Sequence, residues 1–435
     1  MIEPTGDTAA RRPSWTGLAR SLRHRNYRLF FCGQTVSLIG TWLTRVATSW
    51  LVYRLSHSAL VLGLVSFAYL IPVFILTPMA GVLVDRWNKH RVLVATQVCA
   101  ALQSATLAAL TLAGRITVPQ VLVLSVCQGL INAFDFPARQ SLVVQMIEDR
   151  SDLPNAIALN SSMVNLARLI GPSFAGILIA TIGEGGCFAV DAVSYLAVIA
   201  TLLMMSVALR ESRPAAQKHV LLELRDGFAY AMRSRPIVAV LGLMALVSLM
   251  GTPYLTLLPM MVSERLAGDA RVLGYLTAAS GMGALAGALY LAARKSARGL
   301  SRITWISAFA FGCGLILFSL TRQVWFSLPT MFLSGMGMMV QLAASNTILQ
   351  TLVEESKRAR IMSLYAMAYA GMSPLGSLFG GFLADRIGVA ATLRWGGAAC
   401  CAGALVFLGA LPAVRRARRS GAAVAENTLD TPPAQ

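Results

Sequence analysis

Charge is what this sequence lacks. Charged residues make up 13% of its 435 positions, about half the share a soluble globule carries. So little polar surface cannot cover a water-facing fold, which excludes a soluble enzyme and a soluble nucleic-acid-binding domain. Histidine is scarce as well. The four present (His24, His57, His90, His219) fall outside the apolar runs, which argues against a transmembrane histidine relay. The seven cysteines lie in or beside apolar segments and form no CxxC pair. That pattern supports neither a disulfide framework nor a zinc site. No nucleophile–base motif, P-loop or polar GxGxxG pattern is found, so the chain reads as no enzyme, with no metal and no cofactor.

Hydrophobic residues fill 56% of the chain, and mean hydropathy is +0.65. Runs such as Ala59–Val84, Val92–Ala113, Gly186–Leu209 and Val389–Leu411 reach the roughly 20 residues that cross hydrocarbon. Twelve spans are predicted, at 27–52, 59–84, 91–113, 119–143, 155–182, 187–209, 237–262, 271–293, 303–321, 324–350, 361–383 and 389–411. The net charge of +18 does not point to nucleic acid. With the N-terminus cytoplasmic, 27 of the 37 Lys and Arg fall on the cytoplasmic side and 7 on the other, the positive-inside bias. The expectation is a multi-pass protein of the cell (inner or plasma) membrane, both termini cytoplasmic, working as a monomer in the lipid bilayer. The first apolar run is too long for a signal-peptide core and reads as a retained span.

Five segments are expected: a disordered tail (1–14), a six-helix bundle (15–210), a cytoplasmic linker with an amphipathic helix (211–235), a second six-helix bundle (236–411) and a disordered basic tail (412–435). Leu221, Leu224, Phe228 and Ala231 recur at helical spacing in the linker, as in an interfacial helix. The halves repeat. A shift of 205 positions lays Gly171, Phe174, Gly176, Leu178, Ile182 and Gly183 over Gly376, Phe379, Gly381, Leu383, Ile387 and Gly388. The fold class is therefore all-α integral membrane, two pseudo-symmetric six-helix bundles with a substrate site where they meet.

Polar residues at lipid depth are costly, and so informative. Gln34, Ser37, Thr41, Arg45 and Thr48 form one helix stripe; Ser125, Gln128, Asn132, Asp135 and Arg139 form another. Thr252 in span 7 and Gln341 and Ser345 in span 10 complete a set on every third span. These stripes either line a shared wet cavity or glue helices together. Asp135, with Pro137 and Arg139 following, is either a carboxylate that takes and releases a proton or half of a permanent pair. Arg45 either attracts an anionic substrate or partners span 4. Arg168 stands in a further stripe with Ser161 and Asn165. Between spans 2 and 3, Gly81 permits close helix contact and Asp85 can meet a neighbouring helix N-terminus, while Arg86, Lys89 and Arg91 face the inner surface.

These residues resemble the major facilitator superfamily along nearly the whole chain. The segment Gly81–Arg91 is similar to its G-x-x-x-D-R-x-G-R/K-x-R loop signature, with Asn88 in place of a glycine and able to take a left-handed turn. The resemblance implies a cytoplasmic gate of Gly81, Asp85, Arg86, Lys89 and Arg91, with Asp85 latching the two halves. Ala158, Ala167, Gly171-Pro172 and Ala175-Gly176 resemble the exporter signature of helix 5 with three glycines replaced by alanine. Ser125 stands where exporters often carry an arginine before Gln128-Gly129, so that arginine's coupling role does not carry over. Arg23–Phe31 with Gly40-Thr-Trp42, and Asp135–Gln140 with Asn155–Ser161, resemble the branch containing the enterobactin exporter and related drug and macrolide efflux proteins.

The resemblance implies a secondary active exporter of a small organic molecule, a siderophore or drug-like compound, by proton antiport with alternating access. Asp135, Arg139 and Arg45 are the coupling candidates. An importer or lysophospholipid transporter on the same fold is the alternative, with Met336–Met339 suited to a lipid tail. A non-transporting membrane sensor is the remote one.

Overall fold

The computed structural model describes residues 20–205, 220–294 and 299–429; the expected N-terminal tail (1–14) and the first part of the linker lie outside them. Among the described residues the chain is helical with no strand. The helices are α1 (Arg25–Ser56), α2 (Ala59–Arg86), α3 (Lys89–Leu112), α4 (Val118–Met146), α5 (Leu153–Leu203), α6 (Val220–Arg233), α7 (Arg235–Leu246), α8 (Pro253–Leu266), α9 (Ala270–Ala292), α10 (Leu300–Leu320), α11 (Val324–Leu352), α12 (Glu355–Ala366), α13 (Met372–Ile387) and α14 (Val389–Leu429). Nine segments of the described residues are long and apolar enough to cross a bilayer.

The difference between these nine and the predicted twelve lies at three places. The 54-residue segment Arg150–Leu203 is two helices joined at Gly183, whose φ of 73° and ψ of 175° are non-helical. Helix α1 is too polar to pass on hydropathy alone. The eleventh predicted span is α12 and α13, joined by a π turn at Met367–Gly371. A second π turn, Val247–Gly251, joins α7 to α8. Each wide turn lies just ahead of a proline, Pro253 or Pro374. Proline offers no N–H and clashes with the carbonyl four residues back, so the ladder must open there.

Ends are set by short polar caps. Ser58 caps α2, Asn88 caps α3 and Asp269 caps α9 by accepting backbone N–H groups, while Thr117 and Gln120 form a reciprocal box on α4. Asn88 has φ −69° and ψ 105°, so it is an extended N-cap rather than the left-handed turn expected. Its side chain finds a better use accepting the Arg91 N–H at 3.1 Å. Helix α6 packs on α12 through Asp226–Arg360 (3.6 Å), with Ala231 buried and Phe228 exposed. Helix α14 continues past 412 to Leu429, where a disordered tail is expected; its alanines and arginines are strong helix formers.

The repeat is visible in the backbone. Gly183 and Gly388, matched by the 205-residue shift, both take positive φ, 73° and 83°, a conformation glycine adopts freely. Gly176 and Gly381, also matched, each face the other half. A Cβ on Gly176 would stand 2.7 Å from the Ala270 carbonyl, and one on Gly381 2.5 Å from the Ala59 carbonyl. Thus α5 packs on α9 as α13 packs on α2, and these two seams join the halves.

Both seams lie towards one end of the molecule. They run from Ser58–Asp385 and Gly176–Ala270 down to Phe74–Gly371 and Arg168–Gly281. Among the described residues no hydrogen bond or ion pair joins the two six-helix bundles beyond that level.

Candidate functional site

The parting begins at a ring of aromatic and cationic side chains. Arg45 on α1 donates to Tyr69 Oη at 3.0 Å and lies 4.8 Å over the Trp42 ring. Trp42 packs against Gly171 of α5, and the Tyr69 carbonyl packs against Gly129 of α4, where any larger residue would collide. Across the gap, Tyr369 in the π turn lies within electrostatic reach of both Arg45 and Arg168, and Tyr254 within reach of Arg168. Among the described residues neither arginine has a carboxylate partner. Two unneutralised cations facing a crevice between bundles can hold an anion.

The predicted coupling residues divide. Asp135 is 2% exposed and ion-paired with Arg139. It also accepts from Gln97 (2.6 Å) and Thr96 (3.1 Å) of α3. Arg45 joins neither and belongs to the crevice instead.

The predicted cavity residues are less open than their stripes imply. Gln34, Ser37, Thr252, Gln341 and Ser345 are all buried within their bundles. Gln341 donates to Ser345 at 3.4 Å, and Thr252 to the Ser248 carbonyl. Thr41, Gln128 and Asn132 are half-buried, with Asn132 bonded back to the Gln128 carbonyl. The Oε1 atoms of Gln34, Gln97 and Gln128 are buried with no partner, so water is needed to satisfy them.

The expected gate stands apart. Nothing lies within 4 Å of a Gly81 Cβ, so Gly81 makes no close helix contact here. Asp85 is 57% exposed and pairs at 3.6 Å with Lys89, one turn away in sequence, instead of meeting a helix of the other half. Arg86 and Arg91 are exposed. Separation of the halves at this end removes the partner Asp85 would latch. In the helix 5 motif, Ala167, Gly171, Pro172 and Gly176 are buried, with Pro172 and Gly176 against Gly274 of α9. The motif thus serves two packings, Ala167 and Gly171 against α1 within the bundle and Pro172 and Gly176 at the inter-bundle seam. The two branch-like stretches also meet, Tyr27 donating to the Ala156 carbonyl (2.8 Å); at their edges Ser21 donates to Asn155 Oδ1 (2.9 Å) and Arg23 pairs with Asp152 (2.8 Å).

Residues 16–432 match the family described as transmembrane secretion effector. The chain belongs to that family, within the major facilitator superfamily. The family's curated relatives are transporters. The chain is 26% identical to the staphyloferrin A transporter of Staphylococcus aureus, over 84% of this chain and 91% of that one. It is 28% identical to the multidrug efflux pump Tap of Mycolicibacterium fortuitum, over 81% and 88%, and 23% identical to the enterobactin exporter EntS of Escherichia coli, over 91% and 94%. Among solved structures, a POT family transporter in complex with 5-aminolevulinic acid superposes with a TM-score of 0.72 at 14% identity, over 90% and 96%. A bacterial homologue of the lysosomal transporter Spinster, inward-facing and unoccupied, gives 0.64 at 15%, over 93% and 98%. These likenesses show the same fold over 90% and 93% of the chain.

Sequence reasoning missed four residues. Tyr69, Tyr254 and Tyr369 look like ordinary span aromatics, and only the fold brings them to one level. Asp191 stood too near a predicted span end to attract notice, yet it is 1% exposed. An apolar cleft of about 320 Å³ between α8, α13 and α14, lined by Leu249, Pro253, Phe379 and Trp395 among others, has no charged side chain. It offers nothing to orient an ion.

Proposed function

We propose that this family member exports a small anionic organic molecule across the cell membrane by alternating access, drawing on the proton gradient. One observation carries the reading: among the described residues the contacts that join the halves lie towards one end, and Arg45 and Arg168, at the edge of those contacts, have no carboxylate partner. The positive-inside charge supports a cytoplasmic position for the parted end, which makes the described state open inward. An anion enters there, meets the two arginines and the Tyr69 and Tyr369 hydroxyls, and leaves when the seams open and the cytoplasmic ends close. Asp85 would then gain its partner on the other half. One proton crossing 100 mV brings about 2.3 kcal/mol, enough for tens-fold concentration.

The similarity to siderophore and drug exporters supports the outward direction. The arginines favour polycarboxylate or catecholate-type compounds over cationic drugs. The test begins with a strain overexpressing the chain, screened against antibiotics and iron starvation, and proceeds to flux of the hit in inside-out vesicles. Accumulation driven by acidification of the vesicle lumen is the expected result. Accumulation that ignores the proton gradient, or substrate movement only in the opposite direction, overturns the reading.

A further inference from the structure

Asp191 occupies the interior of the first bundle, on the half of α5 that follows the bend at Gly183. It accepts from Thr44 Oγ1 of α1 at 2.7 Å, Ser104 Oγ of α3 at 2.6 Å and, weakly, Ser194 Oγ at 3.5 Å. Gly40 makes this approach possible: a Cβ there would stand 2.6 Å from Asp191 Oδ1. The Gly40-Thr-Trp42 stretch thereby acquires three uses. Gly40 admits Asp191, Thr41 Oγ1 meets Tyr195 Oη at 3.3 Å, and Trp42 carries Arg45.

The surrounding charges are few. Towards the closed end, Glu184 is paired with Arg54 at 3.1 Å. Towards the open end, Tyr195 lies one turn along α5, within electrostatic reach of Asp191, Asp135 and Arg139. Facing helices α1 and α3 present Thr44, Thr41 and Ser104, all uncharged. Among the described residues no cation forms an ion pair with Asp191.

The donor types set the two buried carboxylates apart. Asp135 accepts from a Gln97 amide and a Thr96 hydroxyl, but its counter-charge is the Arg139 guanidinium, which only donates, so protonating it would forfeit the ion pair. Asp191 is held by hydroxyls alone. A hydroxyl donates to a carboxylate and, after rotation, accepts from a carboxylic acid. The Asp191 site satisfies either state without rearranging the backbone, whereas an ionised carboxylate buried with no counter-charge is costly.

We propose that Asp191 is a buried proton-binding site whose occupancy is coupled to the substrate crevice, a refinement that rests on the proton-antiport reading. A proton adds to one Asp191 oxygen and later leaves from it by way of the Tyr195 and Thr41 hydroxyls towards the Asp135–Arg139 level; no other reactant is needed. Thr44, which loses an acceptor or gains a donor at that moment, adjoins Arg45 on α1. Proton occupancy is thereby linked to the position of a crevice cation.

The test is infrared titration of the purified full chain in lipid, read at the carbonyl stretch of a protonated buried carboxyl. The band is expected in the wild type, absent in Asp191→Asn and retained in Asp135→Asn. Ser104→Ala, which leaves the carboxyl in place, shifts the band and serves where Asp191→Asn does not fold. In parallel, proton-driven movement of carboxyfluorescein into inside-out vesicles falls about a hundredfold in Asp191→Asn, the low end for a positioned proton-transfer group. A band absent from the wild type or persisting in Asp191→Asn overturns the assignment, and so does undiminished flux. Should the wild type itself move no carboxyfluorescein with the gradient, the antiport reading fails on its own. The infrared band, which needs no substrate, still decides whether Asp191 binds a proton.

Discussion

The Asp385 carboxylate caps a helix of the opposite bundle. Its Oδ1 accepts the Ala59 backbone N–H at 2.7 Å and its Oδ2 the Ser58 hydroxyl at 2.9 Å, joining the end of α13 to the start of α2. An acid at a helix N-terminus satisfies a stranded donor and meets the positive end of the dipole. Asp385 therefore performs at the closed end the task that the resemblance assigns to Asp85 at the other.

Removing that cap favours the outward-open state. Asp385→Ala forfeits about 1 kcal/mol of capping energy, or roughly a fivefold shift in population between the two states. Spin labels at Arg115 and Arg322 will report longer distances across the closed end, and labels at Ser151 and Arg302 shorter ones across the parted end. Unchanged distance distributions remove Asp385 from the gate.

The seam glycines tolerate no bulk in this state. Gly176→Val and Gly381→Val push side chains into the Ala270 and Ala59 carbonyls, where overpacking costs about 1–3 kcal/mol. Thermal unfolding in detergent will fall for both, and the labels across the closed end will move apart. Gly81→Ala, facing open space, will leave the unfolding midpoint where it was. Equal effects at Gly81 and Gly176 contradict the seam.

Breaking the Asp135–Arg139 pair from one side strands a buried charge. Asp135→Ala will destabilise the protein by about 3–5 kcal/mol, while Asp135→Ala combined with Arg139→Met recovers most of it. A double-mutant cycle from thermal unfolding measures the coupling. A cycle that closes near zero shows that the two charges act independently.

The crevice arginines select by charge. Arg45→Gln and Arg168→Gln will each lower transport of carboxyfluorescein about tenfold, as expected for loss of a charge-assisted contact of about 1.5 kcal/mol. Transport of an uncharged substrate, if any is carried, will fall less. Equal losses for both substrate types place the arginines in the scaffold.

At the parted end, the Ser151 backbone N–H beside Asp149 holds its carboxyl below the usual carboxylate range. Because the folded pKa is depressed, any stabilisation is complete above the unfolded value of 3.8 and fades only as pH falls through the folded one. A spin label at Arg20 will keep its mobility from pH 7 to about pH 4.5. Loosening already near pH 6 shows that a group other than Asp149 holds this segment.

What the sequence made legible was periodic. Span lengths, the charge asymmetry and the 205-residue repeat followed from composition and spacing, and Gly183 with Gly388 gave the repeat a backbone expression. Burial within a bundle did not follow. A stripe such as Gln34–Ser37–Thr41 shows that something polar faces it, but not whether that is water or a neighbouring helix. Asp191 was overlooked because its partners, Thr44 and Ser104, are hydroxyls on helices remote in sequence. Gly81 and Asp85 resemble a latch, yet whether a latch is engaged depends on which state the bundles occupy. Asn88 shows the local version of the same problem, since one side chain suits both a left-handed turn and an N-cap.

At the closed end the chain turns in very little space: residues 57–58, 113–117, 267–269 and 321–323, and the single glycines 183 and 388. Among the described residues no flap stands above this end, so sealing it is left to the helices, and little protrudes for an antibody to grasp. Binders raised to freeze the cycle will find their footholds on the other face, where α6 and the basic connections lie.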